Sequence, residues 1–157
     1  MKTKLFQVFY DTNQLIDPFC EPINAIGVDV GEIYENTHIL NAYEKGFHDA
    51  DYYGVVSWRF NEKTGLFKTD IDNFINNNIA DVFTFYSHNQ DKGNMLMWNI
   101  KAGAPIGKAI QRIIELGLFK DKDVASKWVN VYANYFVATK EVWDLYIPIL
   151  KKVIDLS

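Results

Sequence analysis

With a single cysteine, Cys20, the chain cannot close an internal disulfide or build a cysteine-rich metal site. A reducing, cytoplasmic setting is the expectation that follows. No stretch approaches the roughly 20 apolar residues that a membrane span needs. The amino terminus, Met1-Lys-Thr-Lys-Leu-Phe-Gln-Val8, has basic residues but no long apolar run with a cleavage site, so no signal peptide is expected. Basic charge is not in excess either. The net charge is −4, and a general nucleic-acid binder needs a basic footprint. Neither the Walker nor the dinucleotide-binding glycine pattern occurs, which argues against a P-loop or Rossmann site. The only histidines are His38, His48 and His88, and no two have metal-ligand spacing on one helix. No serine sits in a recognisable nucleophile elbow. Internal repeats and low-complexity tracts are also missing.

What remains is an ordinary globular composition of 157 residues, 48% hydrophobic and 23% charged, enough for one domain spanning 1–157. Aromatics are plentiful at 15%, and several fall outside periodic segments, where they are free to stack on bases or sugars. Lys4 to Tyr10 is almost continuously apolar, the pattern of a strand buried on both faces. Residues 15–31 read as a long loop with a short strand at Ala25 to Val28. Glu32 to Phe47 reads as a helix through Asn36, Leu40, Tyr43 and Phe47. A strand over Asp51 to Phe60 follows. A helix then opens at Thr69, with Asp72 as the capping carboxylate. Asp81 to Tyr86 is the next strand. Met95 to Lys101 is a short helix or turn. Ile106, Ile110, Ile113 and Ile114 mark another helix, stopped at Gly117. Trp128 to Ala138 supplies a strand, or a helix end followed by a strand. Thr139 caps a last helix whose inner face is expected at Val142, Leu145, Tyr146, Ile149 and Val153, kinked or broken at Pro148. Strands alternating with helices predict an α/β three-layer sandwich with a mostly parallel or mixed sheet.

The densest chemistry lies in Asp51-Tyr-Tyr-Gly-Val-Val-Ser-Trp-Arg-Phe-Asn-Glu-Lys-Thr-Gly-Leu66. An apolar strand turns abruptly polar there, with Trp58 and Phe60 interleaved. In open α/β sheets ligands bind beyond the carboxyl ends of strands. Three predicted strands end in polar clusters: Asp11-Thr12-Asn13, Ser57 to Thr64, and Ser87-His88-Asn89. Right-handed crossovers would bring parallel strand ends to one edge. Arg59 and Lys63 are the candidates for an anionic ligand, Arg59 through its planar fork of donors. Thr64 and Gly65 offer a hydroxyl and an amide. Trp58 or Tyr10 would stack on a base or sugar. Glu62 and Asp11 are candidate general bases, and His88 is the one histidine at a predicted strand end. Asn36 is either a satisfied buried amide or a ligand contact on the first helical turn. The competing reading of the 58–64 stretch is a solvated loop after a strand.

Four segments, taken in order, resemble small glycosyltransferase-like proteins of the GT-A type. Those proteins are related to enzymes of capsular and exopolysaccharide biosynthesis and to short proteins of phage genomes. The segments are Gly31-Glu-Ile-Tyr-Glu-Asn-Thr-His-Ile-Leu-Asn-Ala-Tyr43, Asp51-Tyr-Tyr-Gly-Val-Val-Ser-Trp-Arg-Phe-Asn-Glu-Lys-Thr64, Asp81-Val-Phe-Thr-Phe-Tyr86 and Asn134-Tyr-Phe-Val-Ala-Thr-Lys-Glu-Val-Trp-Asp144. They cover about a third of the chain, at the level of motif reasoning. The resemblance implies a reduced GT-A-like fold that binds a nucleoside-diphosphate sugar, with an acceptor that the residues do not name. Under that reading Tyr10, Asp11, Thr12, Asn36, Trp58, Arg59, Lys63 and Thr64 are the candidate donor-binding residues and Glu62, Asp11 and His88 the candidate catalytic ones. Asp49-Ala-Asp51 is an Asp-x-Asp, the pattern that holds a divalent cation such as Mn or Mg on a diphosphate in such enzymes. Metal-independent chemistry and a plain helix-to-strand turn are the alternatives. The second functional expectation is a non-catalytic nucleotide- or carbohydrate-binding adaptor with the same fold.

Overall fold

A computed structural model describes residues 1–29, 36–85, 117 and 135–155. Apart from Gly117, these belong to one compact unit. The elements are β1 (Thr3–Phe9), β2 (Glu21–Asn24), α1 (Asn36–Gly46), β3 (Tyr52–Ser57), α2 (Phe60–Thr64), α3 (Lys68–Asn76), β4 (Val82–Thr84), β5 (Phe136–Thr139) and α4 (Lys140–Ile154). The five strands form one mixed sheet in the order β2-β1-β3-β5-β4. β1 pairs in parallel with both β2 and β3, and β5 runs antiparallel between β3 and β4. The α/β class with helices on both faces of a mixed sheet agrees with the sequence pattern.

Strand alternation sorts the side chains into two cores. Phe6 and Val8 of β1, with Tyr53 and Val55 of β3, face α1 and α4, where they meet Ile39, Ala42, Trp143, Ile147 and Leu150. Phe47 is fully buried at the centre of this core. Its ring stacks on Tyr53 at 4.4 Å and meets the edge of Trp143 at 5.1 Å. The opposite face carries Leu5, Tyr52, Val56 and Val137 against Phe60 of α2 and Ile71 and Ile75 of α3.

Several expected boundaries move. The strand in the loop over 15–31 lies at Glu21–Asn24 rather than Ala25 to Val28. It is a short edge strand, the one place where Pro22 costs no ladder bond. The polar end of the Asp51 to Phe60 segment is a one-turn helix, α2, closed by Gly65 in the left-handed conformation at φ 72°. α3 begins at Lys68, and the carboxylate reaching back to its start is Asp70, which accepts the Phe67 N–H at 2.8 Å. α4 runs through Pro148 without a break, because that proline lies on the exposed side, where water can satisfy the carbonyl it leaves unpaired. The inner face of α4 is Trp143, Ile147 and Leu150, while Leu145 and Ile149 are exposed. Among the described residues no helix is long and apolar enough to cross a membrane. The segments expected at 95–101, 106–117 and 128–134, and the start of the first helix at 32–35, lie outside the described residues, Gly117 apart.

Candidate functional site

β1 and β3 are adjacent and parallel, but the chain leaves them in opposite directions. From β1 it turns to β2 on one flank. From β3 it passes through α2 and α3 to β4 on the other. That divergence is a topological switch point, where open α/β sheets leave a crevice beyond the strand ends. A cleft of about 730 Å³ occupies it, within the usual size range of small-molecule sites.

One wall is the loop after β1, including Asp11, Asn13, Gln14 and Leu15. The other is the start of α2 and the turn beyond it: Trp58, Asn61, Glu62 and Phe67. The loop is shaped by side chains folding back on its own backbone. Asp11 Oδ1 accepts the Asn13 N–H at 2.8 Å, and Gln14 Oε1 accepts the Tyr10 N–H at 2.7 Å. Asp17 is buried beside the cleft and joins two elements. Its Oδ1 accepts the Phe19 N–H at 3.0 Å, and its Oδ2 accepts the Lys68 N–H at 2.7 Å, capping α3 from across the fold.

Gln7 ties the two walls together. It is fully buried on β1, on the same face as Leu5. Its Oε1 accepts the Asp17 N–H at 2.7 Å, and its Nε2 donates to Asn61 Oδ1 at 2.9 Å. Asn61 in turn donates to the Leu66 carbonyl at 2.8 Å. One amide therefore spaces the loop of one wall against the helix of the other. A polar residue in an otherwise apolar strand is the signal that sequence reading passed over.

No protein family's sequence model matches this chain, and neither curated proteins nor solved structures give a match.

The candidate residues divide by position. Asp11, Trp58 and Glu62 line the cleft. Arg59 is not among the lining residues; it is exposed and already paired with Glu62, which is. Its Nε and Nη2 donate to the two oxygens of Glu62 at 3.0 and 2.6 Å. The pair raises the guanidinium pKa and holds the Glu62 carboxyl below its ordinary range. The Arg59 guanidinium also lies 5.7 Å over the Trp58 ring. The Lys63 ammonium sits 5.7 Å over the ring of Tyr135, whose hydroxyl shares a 2.6 Å hydrogen bond with Ser57. Thr64 is occupied within α2, donating to the Phe60 carbonyl at 2.7 Å and accepting the Leu66 N–H at 3.1 Å. Tyr10 is partly exposed and meets His38 edge-on at 5.7 Å. Thr12 is an exposed turn residue, and Asn36 opens α1 at intermediate exposure. Neither is among the side chains lining the cleft. His88 lies outside the described residues.

Asp49 and Asp51 sit at the opposite end of the sheet, where β1 and β3 begin. Asp49 accepts from Lys2 Nζ at 3.1 Å and Lys4 Nζ at 3.2 Å, which hold its carboxyl below the usual range. Asp51 accepts the Lys2 N–H at 2.7 Å. Two carboxylates committed to lysines and backbone at that end do not present a cation site to the cleft. Among the described residues no three His, Cys, Asp or Glu side chains group as metal ligands. Cys20 is buried, and burial first, and then nearby Asp17, push its thiol up to about 12, away from the thiolate form that a nucleophile needs.

Proposed function

We propose that the chain is a glycosyltransferase-like domain that takes a nucleoside-diphosphate sugar in the cleft between the loop after β1 and the start of α2. The observation that carries this reading is the switch-point cleft, with an indole, three carboxylates and three amides on its walls. Aromatic faces with a few convergent polar groups are the chemistry of a small polar ligand. In this reading Trp58 is the stacking platform. Asp11 accepts from ligand hydroxyls and is the candidate base. Arg59 meets the diphosphate where negative charge grows on the leaving group. The four segments that resemble GT-A-type proteins lend further support, since two of them supply β3 with α2 and β5 with α4.

A second reading is favoured by one specific observation. Both cations nominated for the diphosphate are engaged elsewhere, Arg59 by Glu62 and Lys63 over Tyr135. That arrangement fits a binding domain that recognises a sugar or nucleotide without transferring it. One experiment separates the two. The full chain is screened by thermal shift and calorimetry against nucleoside-diphosphate sugars, free nucleotides and free sugars. Manganese, magnesium and chelator arms are included, and hydrolysis is followed in parallel. The first reading expects a donor that binds and is slowly hydrolysed. The second expects binding with no turnover under any cation condition. If no nucleotide sugar, nucleotide or sugar binds, both are abandoned.

A further inference from the structure

Resting on the sugar-binding reading of the cleft, we infer that the sugar it accepts is neutral or carries an amine, and that the Asp11 carboxylate selects it against acidic sugars. The charge of the walls is the first ground. Asp11, Asp17 and Glu62 line the cleft, and among the described residues no lysine, arginine or histidine does. A uronic acid or other carboxylate sugar would lose hydration there and find like charge instead of a partner. A neutral hexose carries no such penalty. An ammonium sugar gains a counter-ion.

The second ground is which polar groups are already used. Asn61 bonds to the buried Gln7 behind it, and both bond to the surrounding backbone. Asp17 bonds to backbone with both oxygens. Both oxygens of Glu62 are held by Arg59. Asp11, Gln14 and Trp58 differ. Asp11 spends one oxygen on Asn13, and its other oxygen carries no hydrogen bond among the described residues. Gln14 spends its carbonyl oxygen on backbone N–H groups, and its amide donors carry none. The Trp58 indole N–H is likewise without a bond among the described residues. A carboxylate acceptor, an amide donor and an indole donor thus stand unspent around apolar surface. A pyranose needs that set: an aromatic face for its C–H side and partners for its hydroxyls. Of the unspent groups only Asp11 is charged, so it makes the strongest bond to a hydroxyl or ammonium and the strongest repulsion of a carboxylate. Arg59 pairs with Glu62 but is not itself among the lining residues, so a diphosphate held by it would be met outside the acidic walls while the sugar lies within them.

The test uses the intact chain and ligand-observed NMR with three probes: methyl glucoside, methyl glucosaminide with its free amine, and methyl glucuronide. UDP-glucose and UDP-glucuronate are titrated beside them. The expected result is binding of the neutral and amino glycosides, with the glucuronide weaker by roughly tenfold, the equivalent of about one pKa unit of interaction. Asp11→Asn keeps the acceptor that shapes the loop and removes the charge. It should narrow the gap against glucuronide and selectively weaken the amino sugar. If the glucuronides bind as well as the glucosides, or if Asp11→Asn leaves the ranking unchanged, this inference is overturned while the sugar-binding reading stands. If none of the five probes binds, the reading and the inference fall together.

Discussion

Arg59 has two possible partners that ask the same geometry of it. A carboxylate and a phosphate each present two oxygens to the guanidinium fork, and in the free chain Glu62 takes that place. Both side chains are about half exposed, and such a pair contributes little to stability. Glu62→Gln should therefore leave the melting temperature nearly unchanged and tighten binding of UDP, because the fork is released and a like charge is removed. Arg59→Ala should weaken the same ligand on the order of tenfold. Calorimetry and a melting curve on the two variants check this. Unchanged UDP affinity in both would remove Arg59 from the site. The sequence made Arg59 conspicuous as a cation in a polar stretch after a strand. A nearby acid such as Glu62 is a natural partner for it from sequence alone, and the helical turn of α2 brings the two together. Asp17, by contrast, was hidden. Its partners are Phe19 and Lys68, the second of them 51 residues away, and local pattern carries no such information.

Elements were legible where one face is apolar and ambiguous where apolar residues run round the helix. α4 has apolar residues at 142, 143, 145, 146, 147, 149 and 150. Two stripes fit the helical period, and the buried one is fixed by what it meets. Trp143 wins because its indole donates to the Tyr53 carbonyl at 2.9 Å inside the core. β3 is a buried apolar strand, as its residues predict, and Gly54 within it has a role that only packing reveals. A Cβ at Gly54 would come within 2.8 Å of Leu5 Cδ1 and Val137 Cγ2 and 3.0 Å of the Phe136 carbonyl. β1 and β5 flank it on both sides, so nothing can withdraw without disturbing the sheet. Gly54→Ala should cost about 1–3 kcal/mol, the range for overpacking a dense core. Denaturant unfolding of the purified variant measures it. A midpoint equal to that of the unaltered chain would show that the sheet yields at this point and that its register is looser than described.

At the scale of the whole molecule, alternation of strands and helices was enough to give the class, but not the order of the sheet. β5 is inserted between β3 and β4 although it comes from the far end of the chain. The pairing Tyr52↔Thr139 spans 87 positions, and no local period encodes it. Two of the three polar strand ends do meet in the cleft, as parallel strands require. The third lies outside the described residues. Global stability then depends on groups the fold has moved out of water, and His38 is the clearest. It is 2% exposed on α1, its Nε2 has no hydrogen bond among the described residues, and its ring meets Tyr10 at the carboxyl end of β1. Burial lowers its pKa below the ordinary 6.5. Below pH 6.5, therefore, the unfolded chain takes up a proton that the folded chain resists. Stability is fully present above that pH and is lost as the pH falls toward the folded value. The depressed carboxyls of Asp49, Glu62 and Asp144 act in the same direction but in a lower window, beginning near their ordinary values of about 4. The two windows are separable. Melting temperatures taken from pH 8 to pH 3 should start to fall near pH 6.5, and His38→Gln, which cannot take the proton, should flatten that part of the curve and leave the carboxyl part, near pH 4 and below, in place. An identical slope in the variant would mean that His38 is hydrated in solution and that the interior beneath Tyr10 is open to water.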